Sequence, residues 1–140
     1  MSTQRSLLIA TELDELHKVN AAIEELAEEE NWPPDVTFQI GLAIEELGVN
    51  IVNYGHDDGK AHEIEIVISS EAEAVTVTIE DDGQAFNPLC DAPEPDLDAA
   101  VEDRTVGGLG IHLVRSMMDE VHYQRQQNKN CLTLVKRRDS

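Results

Sequence analysis

The spacing of apolar side chains divides the chain into helices and strands in a definite order. A short apolar run, RSLLIA, predicts a first strand. It is followed by apolar side chains at helical spacing, namely Leu16, Val19, Ile23 and Leu26. TELD before them fits a capping box, which predicts Thr11 as the N-cap with Asp14 three residues later. WPP then interrupts the pattern and predicts a second helix from Asp35 to Tyr54, since proline suits a helix start.

The second predicted helix carries a narrow polar stripe. Glu46, Asn50 and Asn53 follow one another at steps of four and three, so they share one side of the helix. The residues on either side of this stripe are apolar: Ile40, Ile44, Leu47 and Ile51 on one side, and Phe38, Leu42, Val49 and Val52 on the other. A solvated face would be wider and more charged. The polar trio therefore predicts the lining of a pocket.

Alternating segments later in the chain predict two antiparallel hairpins. HEIEIVIS and AVTVTIED form the first, and their apolar positions predict one covered and one wet face of a sheet. VHYQRQQ and CLTLVKR form the second around the turn NKN. The long aperiodic stretch between them, from Asp81 to Gly108, predicts a lid over a ligand. A further helix is predicted to start at the glycines of GGLGIHLVRSMMDEV.

The order of these elements predicts one domain over residues 1–140, with no repeat and no linker. We expect an α+β fold in which helices cover one face of a mostly antiparallel mixed sheet.

Composition and charge narrow the class of partner. Hydrophobic residues make up 41% of the chain, which is typical of a folded domain, and 29 acidic against 10 basic residues give a formal charge of −19. Such a surface argues against nucleic-acid or membrane binding. Cys90 and Cys131 and the scattered histidines lack metal-ligand spacing. Without a long apolar run or a signal-peptide core, we expect a cytoplasmic protein.

Three segments carry candidate chemistry, and each also has a plain structural interpretation. Glu46 and Asn50 could bind a hard cation or orient a water, or form an ordinary buried hydrogen-bond pair. In IEDDGQAF, Asp81 could accept a hydrogen bond from an amino group and Gly83 would let a flat ring approach, or the segment is an acidic turn. GGLG before a helix could bind an anion through backbone amides, or be a flexible connection.

The three interpretations agree on one ligand, Mg-ATP. A cation site, an amino-group acceptor and a phosphate site would together bind the metal, the base and the phosphates. GGLG is neither a P-loop nor a dinucleotide fingerprint.

In this order, EELGVN, DDGQAF and GGLG resemble the N box and two glycine boxes of the GHKL ATPase superfamily. With GGLGIHLVRSMMDEVHY and NCLTLVKR, the chain is most similar to the anti-sigma-factor serine/threonine kinases of bacterial partner-switching systems. The resemblance runs from about Val36 to Arg138.

The resemblance implies a role for each matched residue. Glu46 would be the general base for the acceptor hydroxyl, and Asn50 the magnesium ligand. The ATP-binding set would be Asn50, Asn53, Asp81, Gly83, Arg104, Gly108, Leu109, Gly110 and Thr133. Within it Asp81, Gly83 and Thr133 would form the adenine site, and the others would lie near phosphate. Ala85 stands where many relatives repeat a glycine, which leaves nucleotide affinity an open question.

The function implied is ATP-dependent phosphorylation of an anti-anti-sigma (STAS) protein, with Mg²⁺ as the second cofactor. A sigma factor is the further partner that the resemblance suggests, and homodimerisation is left open. Two alternatives remain at this point. One is a non-catalytic protein-binding module shaped by nucleotide, and the other is a detached sensor-kinase catalytic domain.

Overall fold

The computed structural model describes residues 3–54, 62–83 and 114–138 of the 140-residue chain. The strands are β1 (Thr3–Ala10), β2 (Glu63–Ser70), β3 (Ala74–Asp81), β4 (Glu120–Gln126) and β5 (Lys129–Arg137), and the helices are α1 (Leu16–Glu30) and α2 (Pro34–Tyr54). The two helices pack against one sheet, so the predicted α+β sandwich is confirmed. The predicted lid lies outside the described residues after Gly83.

The five described strands form one sheet in the order β1-β2-β3-β5-β4. Both predicted hairpins are present, with Ile66 opposite Ile79 in the first and Tyr123 opposite Leu132 in the second. We expected a mixed sheet, but every pairing among the described strands is antiparallel. β5 lies between β3 and β4 although it is the last of these strands in sequence.

Side chains of each strand alternate between a covered and an open face. In β3 the residues Val75, Val77 and Ile79 are buried, while Thr76 and Thr78 between them are half-buried. The predicted apolar stripe of α2 is entirely buried against this covered face, as are the apolar positions of α1. Among the described residues, no helix has both the length and the apolar character needed to cross a bilayer.

The junction between α1 and α2 is fixed by local chemistry and by one long-range hydrogen bond. Asn31 ends α1 in the left-handed region, at φ 55°, and Pro34 begins α2 as the sequence predicts. Trp32 between them is buried, and its indole N–H donates to Ser70 Oγ at 2.9 Å. This bond ties the junction to the end of β2.

Close packing of the start of α1 against α2 depends on Gly48. A Cβ atom built on Gly48 would lie only 2.7 Å from Cδ2 of Leu16, which is itself buried. Gly48 thus sets how closely the start of α1 approaches α2, on the side of the helix nearly opposite Glu46 and Asn50.

Two local predictions were wrong. Thr11 is not a helix N-cap: its Oγ1 accepts a hydrogen bond from the His62 N–H at 3.2 Å, and the 3-10 turn Leu13–Glu15 that precedes α1 has no side-chain cap. The second hairpin turns at Gln127 and Asn128, at φ 53° and 63°, so Lys129 and Asn130 already belong to β5. Positive φ at both central residues is typical of the tight turns that join two strands.

Candidate functional site

Helix α2 holds Glu46 and Asn50 one turn apart, as the sequence predicts. Asn50 is 0% exposed, and its Nδ2 donates to the backbone oxygen of Glu46 at 2.8 Å. Because a carbonyl oxygen can only accept a hydrogen, this bond fixes which end of the amide is the NH₂ group. The amide oxygen, Oδ1, is buried and has no hydrogen-bond partner among the described residues.

An unpaired buried oxygen is unusual, because nearly all buried polar atoms in proteins are hydrogen-bonded. A carboxamide oxygen is a good ligand for Mg²⁺, so the residues present fit this ion. Within residues 3–54, 62–83 and 114–138, no three His, Cys, Asp or Glu side chains come together as a metal site. Mg²⁺ is commonly bound by one or two protein oxygens together with water and phosphate oxygens, and Asn50 could supply one such oxygen.

Glu46 has the electrostatic character of a general base. Burial raises the pKa of its carboxyl group, and the negative charge of Glu45 raises it further. A carboxylate with a raised pKa is a stronger proton acceptor while it is still ionised near neutral pH. Glu46 could therefore remove a proton from a hydroxyl group brought next to it.

The flanks of the polar stripe differ in exposure. Val49 and Val52 are partly buried against the core, whereas Phe38 is 67% exposed. The stripe is thus bordered by packed residues toward the end of α2 and by an open surface toward its start. The sequence predicts apolar residues on both sides of the stripe. On the side that begins at Phe38, the residues packed against the core are the later ones, Val49 and Val52.

The end of β3 holds the second candidate group. Asp81 is only 4% exposed because it lies on the covered face of the sheet. Its Oδ1 accepts hydrogen bonds from the Gly83 N–H at 2.9 Å and from Asn130 Nδ2 at 3.2 Å. An ionised carboxylate has about four lone-pair positions, so an amino group can be a further donor to it.

Thr133 does not join Asp81. It pairs with Thr78, and both lie on the open face because Leu132 and Leu134 take the covered positions of β5. The strand alternation therefore separates Thr133 from the adenine site that the resemblance implies. This separation could have been read from the alternation of CLTLVKR itself.

The residue that does join Asp81 is Asn130, which the sequence reasoning missed. It is 2% exposed, pairs directly with Asp81 across β3 and β5, and accepts a hydrogen bond from the Tyr123 hydroxyl. Arg125 of β4 also contributes, donating from Nη1 to the Gly83 backbone oxygen at 2.8 Å. The sequence could have indicated Asn130 as a polar residue at a covered strand position. Assigning the turn to NKN hid this, because it placed Asn130 in the turn and not in β5.

The remaining predicted residues cannot be located in the same way. Asn53 belongs to the last turn of α2, but nothing is described of its side chain. Arg104, Gly108, Leu109, Gly110 and the departure at Ala85 lie outside the described residues. The helix predicted after GGLG is seen in its described part, residues 114–117.

Comparison with known proteins decides the family. A sequence model of the histidine kinase-like ATPase domain matches residues 9–136. The chain belongs to this family. The resemblance to the GHKL superfamily is thereby confirmed.

The chain is also similar to two named bacterial kinases of this family. It is 30% identical to the serine/threonine-protein kinase BtrW of Bordetella bronchiseptica over 113 residues, which are 81% of this chain and 79% of that protein. It is 28% identical to the serine-protein kinase RsbW of Bacillus subtilis over 106 residues, 72% of this chain and 63% of that protein.

Solved structures of low sequence identity share the fold of this ATPase family. The structure of the RsbU and RsbW domains of Rv1364c from Mycobacterium tuberculosis matches with a TM-score of 0.65 at 14% identity, over 96% of this chain and 32% of that one. The histidine kinase domain of Erythrobacter litoralis EL346 matches with a TM-score of 0.58 at 17% identity, over 91% and 61%.

Proposed function

We propose that this chain is a protein serine/threonine kinase of the anti-sigma-factor type. It binds Mg-ATP and transfers the terminal phosphoryl group to a serine or threonine of an anti-anti-sigma (STAS) protein. The observation that carries the proposal is the buried, unpartnered Oδ1 of Asn50, which lies one helical turn from Glu46. The two named kinases to which the chain is similar support the choice of a protein hydroxyl as acceptor.

The roles divide between the two ends of the nucleotide. Asn50 would hold the magnesium ion through its amide oxygen, and Glu46 takes the proton of the acceptor hydroxyl as this hydroxyl attacks the terminal phosphorus and ADP leaves. Asp81 accepts the adenine amino group, and Gly83 lets the base lie close to the backbone. In phosphoryl transfer most of the rate comes from positioning and charge neutralisation.

The family motif extends these roles to residues whose side chains are not described. Asn53, Arg104, Gly108, Leu109 and Gly110 contact the phosphates in this proposal. The kinase works in the cytoplasm and alternates between the STAS protein and a second partner, for which a sigma factor is the candidate. Bound nucleotide biases that choice through its differential affinity for the two assemblies.

Calorimetric titration of ATP, with and without magnesium, tests the binding half of the proposal. Wild type should bind ATP in a magnesium-dependent way, and Asn50→Ala should lose at least about tenfold in affinity, since even indirect metal-site substitutions cost that much. Asn20→Ala is the matched control, because it removes a half-buried carboxamide from α1. Equal magnesium dependence in wild type and Asn50→Ala would remove Asn50 from the metal site.

Phosphotransfer to purified STAS proteins from the same organism tests the catalytic half. Intact-mass spectrometry would detect the added phosphoryl group on one of them. Glu46→Gln should bind ATP as wild type does and transfer no phosphate. If wild type binds ATP but modifies no STAS protein, the chain is a nucleotide-dependent binding module. Transfer to a histidine instead would identify a sensor-kinase catalytic domain.

A further inference from the structure

A chain of buried hydrogen bonds leads from β4 through β5 to Asp81. The Tyr123 hydroxyl donates to Asn130 Oδ1, and Asn130 Nδ2 donates to Asp81 Oδ1 at 3.2 Å. Asn130 and Asp81 are 2% and 4% exposed, so these bonds are largely sheltered from water. Inside a protein such hydrogen bonds are stronger than in water, and a buried donor or acceptor that faces the wrong partner costs more free energy.

The direction of every bond in this chain is set by chemistry. An ionised carboxylate has no hydrogen to give, so Asn130 must turn its NH₂ group toward Asp81. Its oxygen then faces the Tyr123 hydroxyl, which supplies the hydrogen. Tyr123 therefore fixes the orientation of the Asn130 amide, and Asn130 in turn presents a donor to Asp81.

β4 also reaches this carboxylate through Gly83. Arg125 Nη1 donates to the Gly83 oxygen at 2.8 Å, and the Gly83 N–H donates to Asp81 Oδ1 at 2.9 Å. Asp81 Oδ1 thus accepts from Asn130 and from Gly83, and each of these two residues is hydrogen-bonded to a residue of β4. These donors fix the direction in which the Asp81 carboxylate presents its acceptor oxygens.

We propose that Tyr123 and Asn130 are positioning residues that set the base specificity of the nucleotide site. By fixing Asp81 as an acceptor, they favour a purine with an amino group at position 6, as in ATP, over one with a carbonyl group there, as in ITP. A carbonyl facing the carboxylate would bring two acceptors together and leave the purine carbonyl without a donor at this position. The inference rests on the proposed function, since it concerns the adenine end of the same site.

The test is the ratio of the ITP and ATP dissociation constants, measured by calorimetry with magnesium on purified full chain. Wild type should prefer ATP by at least about a hundredfold, as sites built to bond a substrate amino group do. Tyr123→Phe and Asn130→Leu should each reduce this preference by about five- to tenfold. The loss should come from weaker ATP binding, with ITP affinity unchanged, because only ATP uses the fixed carboxylate.

Thr76→Val is the matched control. It removes a hydroxyl from β3, the strand of Asp81, without changing side-chain shape, but on the open face of the sheet. A merely structural role for Tyr123 or Asn130 would weaken ATP and ITP equally and leave the ratio unchanged, which would overturn the inference. So would a change in Thr76→Val as large as that in Asn130→Leu.

Failure of the inference and failure of the proposed function give different results. If wild type prefers ATP and folded Tyr123→Phe keeps the full preference, the proposed ATP site is supported and the positioning role of Tyr123 is wrong. If wild type binds neither nucleotide, the proposed function fails and the inference fails with it. Tyr123→Phe removes a single oxygen atom, so it decides the matter even if Asn130→Leu does not fold.

Discussion

The two described glycines of α2 should respond in opposite ways to the same substitution. Gly41 and Gly48 are two turns apart on this helix, and alanine is favoured over glycine in a helix by about 1 kcal/mol. A Cβ on Gly41 would meet only Asn20 Oδ1, at 4.0 Å, so Gly41→Ala should raise the free energy of unfolding by about 0.5–1 kcal/mol.

Gly48→Ala should lose this gain because the new methyl group meets Leu16. The distances from its Cβ would be 2.7 Å to Cδ2, 3.5 Å to Cδ1 and 3.7 Å to Cγ, so the whole isobutyl group must shift. Leu16 is buried, so its methyl groups can move only by displacing neighbouring side chains. Such overpacking costs about 1–2 kcal/mol, in the lower part of the usual range. The net change in the free energy of unfolding is about 0 to −1.5 kcal/mol, and Gly48→Ala should be less stable than Gly41→Ala by about 1–2 kcal/mol.

Urea titration followed by circular dichroism measures both changes, and thermal midpoints should separate by about 3–8 °C. A Gly48→Ala variant as stable as Gly41→Ala would show that Leu16 adjusts without cost, which would refute the packing argument. If Gly48→Ala is destabilised as expected, the double variant Gly48→Ala with Leu16→Ala should show coupling, because the second change removes the clashing group.

Three further outcomes are expected. Trp32→Phe should lower the free energy of unfolding by about 1 kcal/mol in urea titration, since Ser70 loses its indole donor, and a neutral result would refute this. Burial raises the pKa of Glu46 in the folded state, so the ionised carboxylate destabilises the fold and Glu46→Gln should raise the thermal midpoint. The gain should be absent below about pH 4.5, where the carboxyl group is protonated in both states, and should grow as the pH rises through the folded pKa. Burial and Glu80 raise the pKa of Cys131, so Glu80→Gln should speed its alkylation at pH 8, as measured by peptide mass mapping.

Periodic features of the sequence predicted most of the fold because burial enforces them over many residues. The apolar stripe of α2 and the alternation of β2 and β3 are each repeated several times, so a single exception does not hide them. Features set by one distant partner could not be predicted in this way. Thr11 has the spacing of an N-cap, but its hydroxyl accepts from His62, which lies 51 residues later.

The positions of the candidate side chains on helix and strand were predicted well where the polar pattern itself is local. Glu46 and Asn50 follow from helix geometry, and Asp81 from the end of a strand. Predicting the role of Asn130 required the exact position of one turn. A one-residue error there reverses which side chains of a β-strand face the core. The same rule, applied to Leu132 and Leu134, would have assigned Thr133 to the open face.

The sheet order has a consequence for how the chain is made. β5 is synthesised after the four strands it completes, yet it fills the gap between β3 and β4. Until Arg137 has left the ribosome, a nascent chain therefore carries β3 with one edge unpaired and β4 without its partner among the described strands, and such edges invite pairing with other chains. A chain cut off before Lys129 would lose the partner of both neighbouring strands and the Asn130 contact to Asp81. Premature termination before β5 should thus yield aggregation, not a slightly shortened folded domain.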